Sequence, residues 1–229
     1  MEFMLDTINI EKIRYYQSIL PLVGVTSNPS IIKKEGKIDL FAHLKEIKEI
    51  IGKGSLHVQV VGETTEEILA DAQAILDQLG NDIFIKVPVN EAGLAAIKQL
   101  KEKGVNVTAT AIYSEMQGYL AIAAGADYLA PYYNRMENLN IDAAAIIDAL
   151  VAEIKRTHSS SKVLAASFKN VAQVNQACRK GAHSMTASPD IFAQVFSMPS
   201  IQEAVTNFQK DWEGTFNVQN VKALGDSEE

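Results

Sequence analysis

A chain of 229 residues, 47% of them apolar, is long enough for one large buried core and suits a single α/β barrel domain. Its net charge of −7 and pI near 5.2 leave no extended basic surface for phosphodiester backbones or anionic lipids, so neither nucleic acid nor membrane is an expected partner. The lone Cys178 allows no internal disulfide, the opening MEFMLDT lacks a basic segment followed by an apolar one, and the apolar runs stay far below the roughly 20 residues of a membrane span. The expectation is a soluble, cytoplasmic protein.

In chain order, short β-rich runs are predicted at 3–5, 22–25, 56–60, 83–87, 105–110, 128–130, 163–166 and 184–186. Each is followed by a segment of helical period, at 10–19, 40–51, 65–79, 91–103, 114–124, 142–158, 171–180 and 189–196. Thr64 and Thr65 ahead of Glu66 and Glu67 supply a cap and a favourable first-turn charge, while Gly104 and Gly181 end their helices. Eight βα units at this length close best as a (β/α)₈ TIM barrel. An open doubly wound sheet is the rival, but it calls for a glycine-rich loop after the first strand, where Asp6 and Thr7 stand. The barrel is expected over residues 1–198, an additional C-terminal helix over 199–216 and a flexible tail over 217–229, with the acidic end from 225 disordered. Ile201, Val205, Phe208 and Trp212 recur on one side of that helix, after the eighth βα unit, so their face must cover either its own barrel or a neighbour's.

Barrel enzymes carry their chemistry at the C-terminal ends of the strands. The polar residues falling there are Asp6, Thr26 and Asn28, Gln59, Lys86, Thr110, Tyr132 and Arg135, and Ser167 with Lys169. Lys86 is the sharpest signal. It interrupts the apolar run 83–89, where a lysine is costly unless paired or neutral, and the same burial lowers its pKa so that the amine can attack a ketone. A lysine snorkelling from a strand end is the structural alternative. Asp6 could instead cap the helix beginning near Asn9, and Asn28 with Pro29 could be an ordinary turn. Gln59 could be a satisfied core amide. Tyr132 and Tyr133 are adjacent in sequence, so one can point inward and the other pack outward, with ordinary core packing the structural alternative for either. Arg135, Ser167 and Lys169 could be surface charges and a cap, but two cations with a hydroxyl also suit a phosphate. His43, His57, His158 and His183 share no ligand spacing, so no metal site is assigned, and Cys178 reads as a packing residue.

The segments LDT at 5–7, GVTSNPSII at 24–32, KVPV at 86–89, APYYNR at 130–135 and KVLAASFK at 162–169 closely resemble the fructose-6-phosphate aldolases, or short transaldolase-like proteins, a resemblance that runs to about residue 216. It implies a barrel, class I aldol chemistry through a Schiff base on Lys86, and neither metal nor organic cofactor. Asp6, Asn28 and Thr26 would serve the donor, Gln59, Thr110 and Tyr132 a proton-transferring water, and Arg135, Ser167 and Lys169 the phosphate end. Sugars and sugar phosphates are the implied substrates. A homo-oligomer, a decamer of two pentamers, is the implied assembly. Transaldolases proper typically carry glutamate in place of Gln59 and phenylalanine in place of Tyr132, so both residues point to the aldolase branch.

Overall fold

The computed structural model describes residues 1–225. Eight strands, β1 (Glu2–Asp6), β2 (Leu22–Thr26), β3 (Ser55–Gln59), β4 (Phe84–Pro88), β5 (Asn106–Ile112), β6 (Tyr128–Pro131), β7 (Lys162–Ala165) and β8 (Ser184–Ala187), pair in parallel and in sequence order into a closed barrel. Closure is made where Leu5 of β1 meets Ala187 of β8. The principal helices are α1 (Ile10–Ile19), α3 (Leu40–Ile51), α4 (Thr65–Leu79), α5 (Glu91–Glu102), α6 (Glu115–Ala123), α8 (Ala143–Thr157), α9 (Val171–Arg179) and α10 (Pro189–Phe196). The expected (β/α)₈ TIM barrel is therefore present, its elements displaced from the predicted limits by no more than two residues.

The outer strand faces carry Leu5, Val25, Val58, Ile85, Val107, Leu129 and Val163, all buried, because a helix follows every strand and lies over it. Each helix answers with an apolar stripe at the period of 3.6, as in α4, whose Ile68, Ala72, Ile75, Leu76 and Leu79 are buried. Burying such side chains contributes about 1.5–3 kcal/mol each. The capping box at Thr64 and Glu67 is complete in both directions, so two donors at the start of α4 are satisfied. Gly104 and Gly181 have φ of 73° and 83° just beyond α5 and α9, the left-handed conformation that ends a helix.

Inside the barrel, Met4, Tyr128 and Leu164 pack with Phe84 in the lower layer. His57 is fully buried there. Its ring stacks on Phe84 with centroids 4.6 Å apart, and its nitrogens hydrogen-bond the hydroxyls of Thr108 at 2.8 Å and Ser55 at 2.9 Å. Gly24 makes this possible, since a Cβ there would fall 2.3 Å from Ser55 Oγ.

Two short helices, α2 (Pro29–Lys34) and α7 (Tyr133–Asn138), are additions to the predicted set, each directly after a strand at the functional end. The chain divides into two compact units, residues 1–191 and residues from 192 onward. The second contains α11 (Pro199–Phe216), the expected additional helix, and α12 (Val221–Gly225). The stretch from 217, expected to be a tail, thus holds a further turn of helix, capped where Asn220 Oδ1 accepts from Ala223 N at 3.0 Å. The end of the tail expected to be disordered lies, beyond residue 225, outside the described residues. Among the described residues no helix is long and apolar enough to cross a membrane.

Candidate active site

The C-terminal ends of the strands surround a cavity of about 350 Å³. Its wall contains Asp6, Asn28, Lys86, Tyr132, Arg135, Ser167 and Lys169. Thr26, Thr110 and Gln59, also predicted, stand behind that wall and not in it. Thr26 Oγ donates to Asp6 Oδ1 at 2.6 Å, Thr110 Oγ donates to the Tyr132 hydroxyl at 2.9 Å, and Gln59 is the register neighbour of Lys86.

Lys86 is only 4% exposed, and its Nζ donates to the carbonyl of Ser27 at 2.8 Å. That carbonyl is held in turn, because the Ser27 N–H and hydroxyl both reach the carbonyl of His57, at 3.2 and 3.3 Å. Burial pushes the Lys86 pKa below the ordinary lysine value, the Asp6 carboxylate opposes that shift, and the Arg135 guanidinium adds to it. Among the described residues the amine has a neutral carbonyl, and no carboxylate, as its hydrogen-bond partner.

Asp6 does not cap α1. Asn9 does so, its side chain accepting from Lys12 N at 3.0 Å, which leaves Asp6 free to face the cavity. Because Thr26 gives its hydroxyl proton to Asp6, the 2.7 Å contact between Thr26 and Thr186 must be donated by Thr186. A three-residue line from β8 through β2 to β1 therefore orients one carboxylate. Asn28 caps α2 with Oδ1, accepting from Ile31 N at 3.0 Å, so its amide NH₂ remains to donate into the cavity.

Tyr132 accepts from Thr110, and burial raises its pKa, so it is held as a phenol with its own proton unspent. Tyr133 points the other way and packs on Phe168, the division expected of the adjacent pair. The Arg135 guanidinium lies 4.5 Å above the Tyr132 ring, and its Nη1 reaches the Tyr113 hydroxyl at 3.5 Å. Ser167 has a φ of 63°, unusual for a side-chain-bearing residue, and its carbonyl accepts from Asn134 N at the start of α7. Ala111, with φ of 56°, sits where β5 bulges against β6, one residue beyond Thr110. Both departures flank Tyr132.

Gln59 is the predicted residue least engaged. It adjoins a separate groove with Pro29, Ile32, Leu40 and Phe41, and its Oε1 is buried without a hydrogen-bond partner among the described residues. Sequence reasoning missed Ser27, Thr186, Lys34 and Asp190. Thr186 ends a predicted strand, so the strand-end rule would have found it. Lys34 carried no signal because α2 was not anticipated. Among the described residues no group of three or more His, Cys, Asp or Glu could hold a metal ion.

Barrel and site together define a class. A (β/α)₈ barrel with a lysine buried on its fourth strand beneath a polar cavity suits an aldolase-type enzyme, whose chemistry calls for a buried amine facing a carbonyl substrate. Comparison with known proteins bears this out, for residues 3–224 match the Transaldolase/Fructose-6-phosphate aldolase family, and the chain belongs to that family. It is also 58% identical over 225 residues to a Streptococcus pneumoniae (strain ATCC 700669 / Spain 23F-1) protein named probable fructose-6-phosphate aldolase, spanning 98% of this chain and 100% of that one.

Proposed function

We propose that the protein cleaves fructose 6-phosphate reversibly to dihydroxyacetone and glyceraldehyde 3-phosphate through a Schiff base on Lys86. The observation that carries this reading is the buried amine of Lys86, bonded to the Ser27 carbonyl on the wall of a cavity it shares with Asp6, Tyr132 and Arg135. The printed name of the 58% identical relative favours the same reaction. The single cysteine suits a reducing cytoplasm as its setting.

In the proposed cycle neutral Lys86 adds to the C2 ketone, water leaves, and the iminium forms. Asp6, acting through a water, takes the C4 hydroxyl proton with Tyr132 hydrogen-bonded to the same oxygen. The C3–C4 bond breaks, its electron pair moving into the iminium to give an enamine, and glyceraldehyde 3-phosphate departs. Protonation of the enamine carbon and addition of water to the imine release dihydroxyacetone and restore the amine. Asn28 and Asp6 hold the donor hydroxyls, while Arg135, Ser167 and Lys169 hold the phosphate.

Borohydride added with dihydroxyacetone tests the proposal. Donor mass should appear on the peptide containing Lys86, and Lys86→Arg should abolish both labelling and activity, because a guanidinium does not deprotonate. Labelling of a different lysine with an active Lys86→Arg enzyme would refute it.

A further inference from the structure

The three residues proposed to hold the phosphate stand on two separate elements. Arg135 belongs to α7, while Ser167 and Lys169 belong to the segment between β7 and α9. Arg135 and Lys169 are exposed, and a long cationic side chain on a loose base brings no fixed geometry to an anion. The spacing of the set is therefore decided by how α7 is fastened to that segment.

Gln173, on the first turn of α9 and only 8% exposed, makes that fastening. Its Oε1 accepts from the Lys169 N–H at 2.7 Å, which leaves the amide nitrogen to donate towards α7, to Asn134 Oδ1 at 3.0 Å and to Glu137 Oε2 at 2.5 Å. Asn134 N closes the circuit by donating to the Ser167 carbonyl at 3.0 Å. Arg135 thus lies between two residues bonded to one end of a single carboxamide, and Lys169 is bonded to its other end. Ser167, at a φ of 63°, holds a conformation that persists in a side-chain-bearing residue only where its surroundings impose it, and the circuit passes through its carbonyl. Gln173 itself is not in the wall of the cavity; it borders a separate groove with Tyr133, Asn170 and Arg179.

We infer that Gln173 is a positioning residue for the phosphate end of the substrate, setting the distance between Arg135 and the segment bearing Ser167 and Lys169 without touching substrate. It thereby supports a preference for phosphorylated aldehydes over unphosphorylated ones. The carboxamide is suited to this because it offers an acceptor to one element and two donors to the other, and all three are spent. A leucine of similar size offers neither. A carboxylate would still accept from Lys169 but would meet Asn134 Oδ1 and the Glu137 carboxylate with no proton to give. The inference rests on the proposed placement of the phosphate at Arg135, Ser167 and Lys169.

Aldol synthesis by the full-length protein from dihydroxyacetone, with glyceraldehyde 3-phosphate or glyceraldehyde as acceptor, tests it. In Gln173→Leu the KM for glyceraldehyde 3-phosphate should rise about tenfold, the effect of one charge-assisted contact out of place, with kcat nearly kept. Glyceraldehyde should react as in the parent protein, and so should dihydroxyacetone in borohydride trapping. Gln173→Glu should share the defect, and adding Glu137→Gln to it should restore the KM, because donor and acceptor then change places. A merely structural residue would slow both acceptors alike and would not be rescued by the exchange, and either result overturns the inference. Arg135→Gln is read beside these. If it loses the preference for the phosphorylated acceptor while Gln173→Leu keeps it, the role of Gln173 is refuted and the placement of the phosphate stands; if both keep it, the placement falls as well. Glycerol 3-phosphate, which has no carbonyl, covers the case in which Lys86 forms no imine. Its affinity, followed by phosphorus NMR, should still fall about tenfold in Gln173→Leu, so that the aldolase reading fails and the role of Gln173 stands, whereas an unchanged affinity overturns that role.

Discussion

Thr110 Oγ donates its hydrogen to the phenolic oxygen of Tyr132 at 2.9 Å, 22 residues further along the chain. A phenol that accepts from its neighbour keeps its own proton for the cavity, and burial raises its pKa above the ordinary phenol value. Tyr132→Phe should therefore depress fructose 6-phosphate cleavage by about 10²-fold, as for the loss of a general acid or base, and Thr110→Val by a smaller factor. With Gln59→Glu added to Tyr132→Phe, transfer to erythrose 4-phosphate should rise relative to release of dihydroxyacetone, because a carboxylate moves protons where an amide only hydrogen-bonds. Counting glyceraldehyde 3-phosphate and sedoheptulose 7-phosphate in one assay decides the matter. An unchanged ratio in the double variant contradicts these roles.

The charges around Lys86 predict the pH dependence of imine formation. Attack requires the neutral amine, so the trapping rate should rise with pH through a midpoint below the ordinary lysine value of about 10.4. Asp6 opposes the depression, so Asp6→Asn should move the midpoint lower still. Arg135 contributes to it, so Arg135→Gln should move the midpoint up. Borohydride trapping rates measured across pH provide the check, and midpoints that coincide in all three proteins would show that these charges do not tune the amine.

His57 links pH to stability. Burial pushes its pKa well below 6.5, with Lys86 acting in the same direction, so the folded protein holds it neutral while the unfolded chain protonates near 6.5. The unfolded state then binds the extra proton as pH falls below 6.5. Stability from this residue is present above that pH and is lost towards the folded pKa, with a slope approaching about 1.4 kcal/mol per pH unit. His57→Gln should be less stable at pH 7, because the links to Thr108 and Ser55 are disturbed, yet show a shallower loss between pH 6.5 and 5. Urea melts at several pH values would reveal it, and parallel curves for the two proteins would exclude His57 as the source.

The C-terminal helix α11 buries no residue, and Ile201, Val205 and Phe208 are exposed, Phe208 at 71%. An apolar stripe of this kind on a helix is expected to be covered by a second copy of the chain. Light scattering should give an oligomer for the full-length protein, with a decamer of two pentamers the expected state, and a smaller species for a chain ending near Pro199. A monomer in both cases refutes the expectation.

The alternation of β-rich runs with helical stripes, read from the sequence alone, determined the barrel, because every strand is buried on its outer face and every principal helix must bury one side. Lys86 stood out by the same logic, as a charge inside an apolar strand. The six-residue helices α2 and α7 were not legible, since neither is long enough to show a periodic apolar face, and Lys34 went unremarked with α2. Tertiary structure alone decided who bonds whom. Lys86 meets Ser27 across 59 residues, and Thr26 meets Thr186 across 160, because closing the barrel brings the ends of β1, β2, β4 and β8 around one axis. Local pattern records which residues face that axis. It does not record which oxygen each hydroxyl or amine finds there, because that depends on the stagger of strands far apart in the chain.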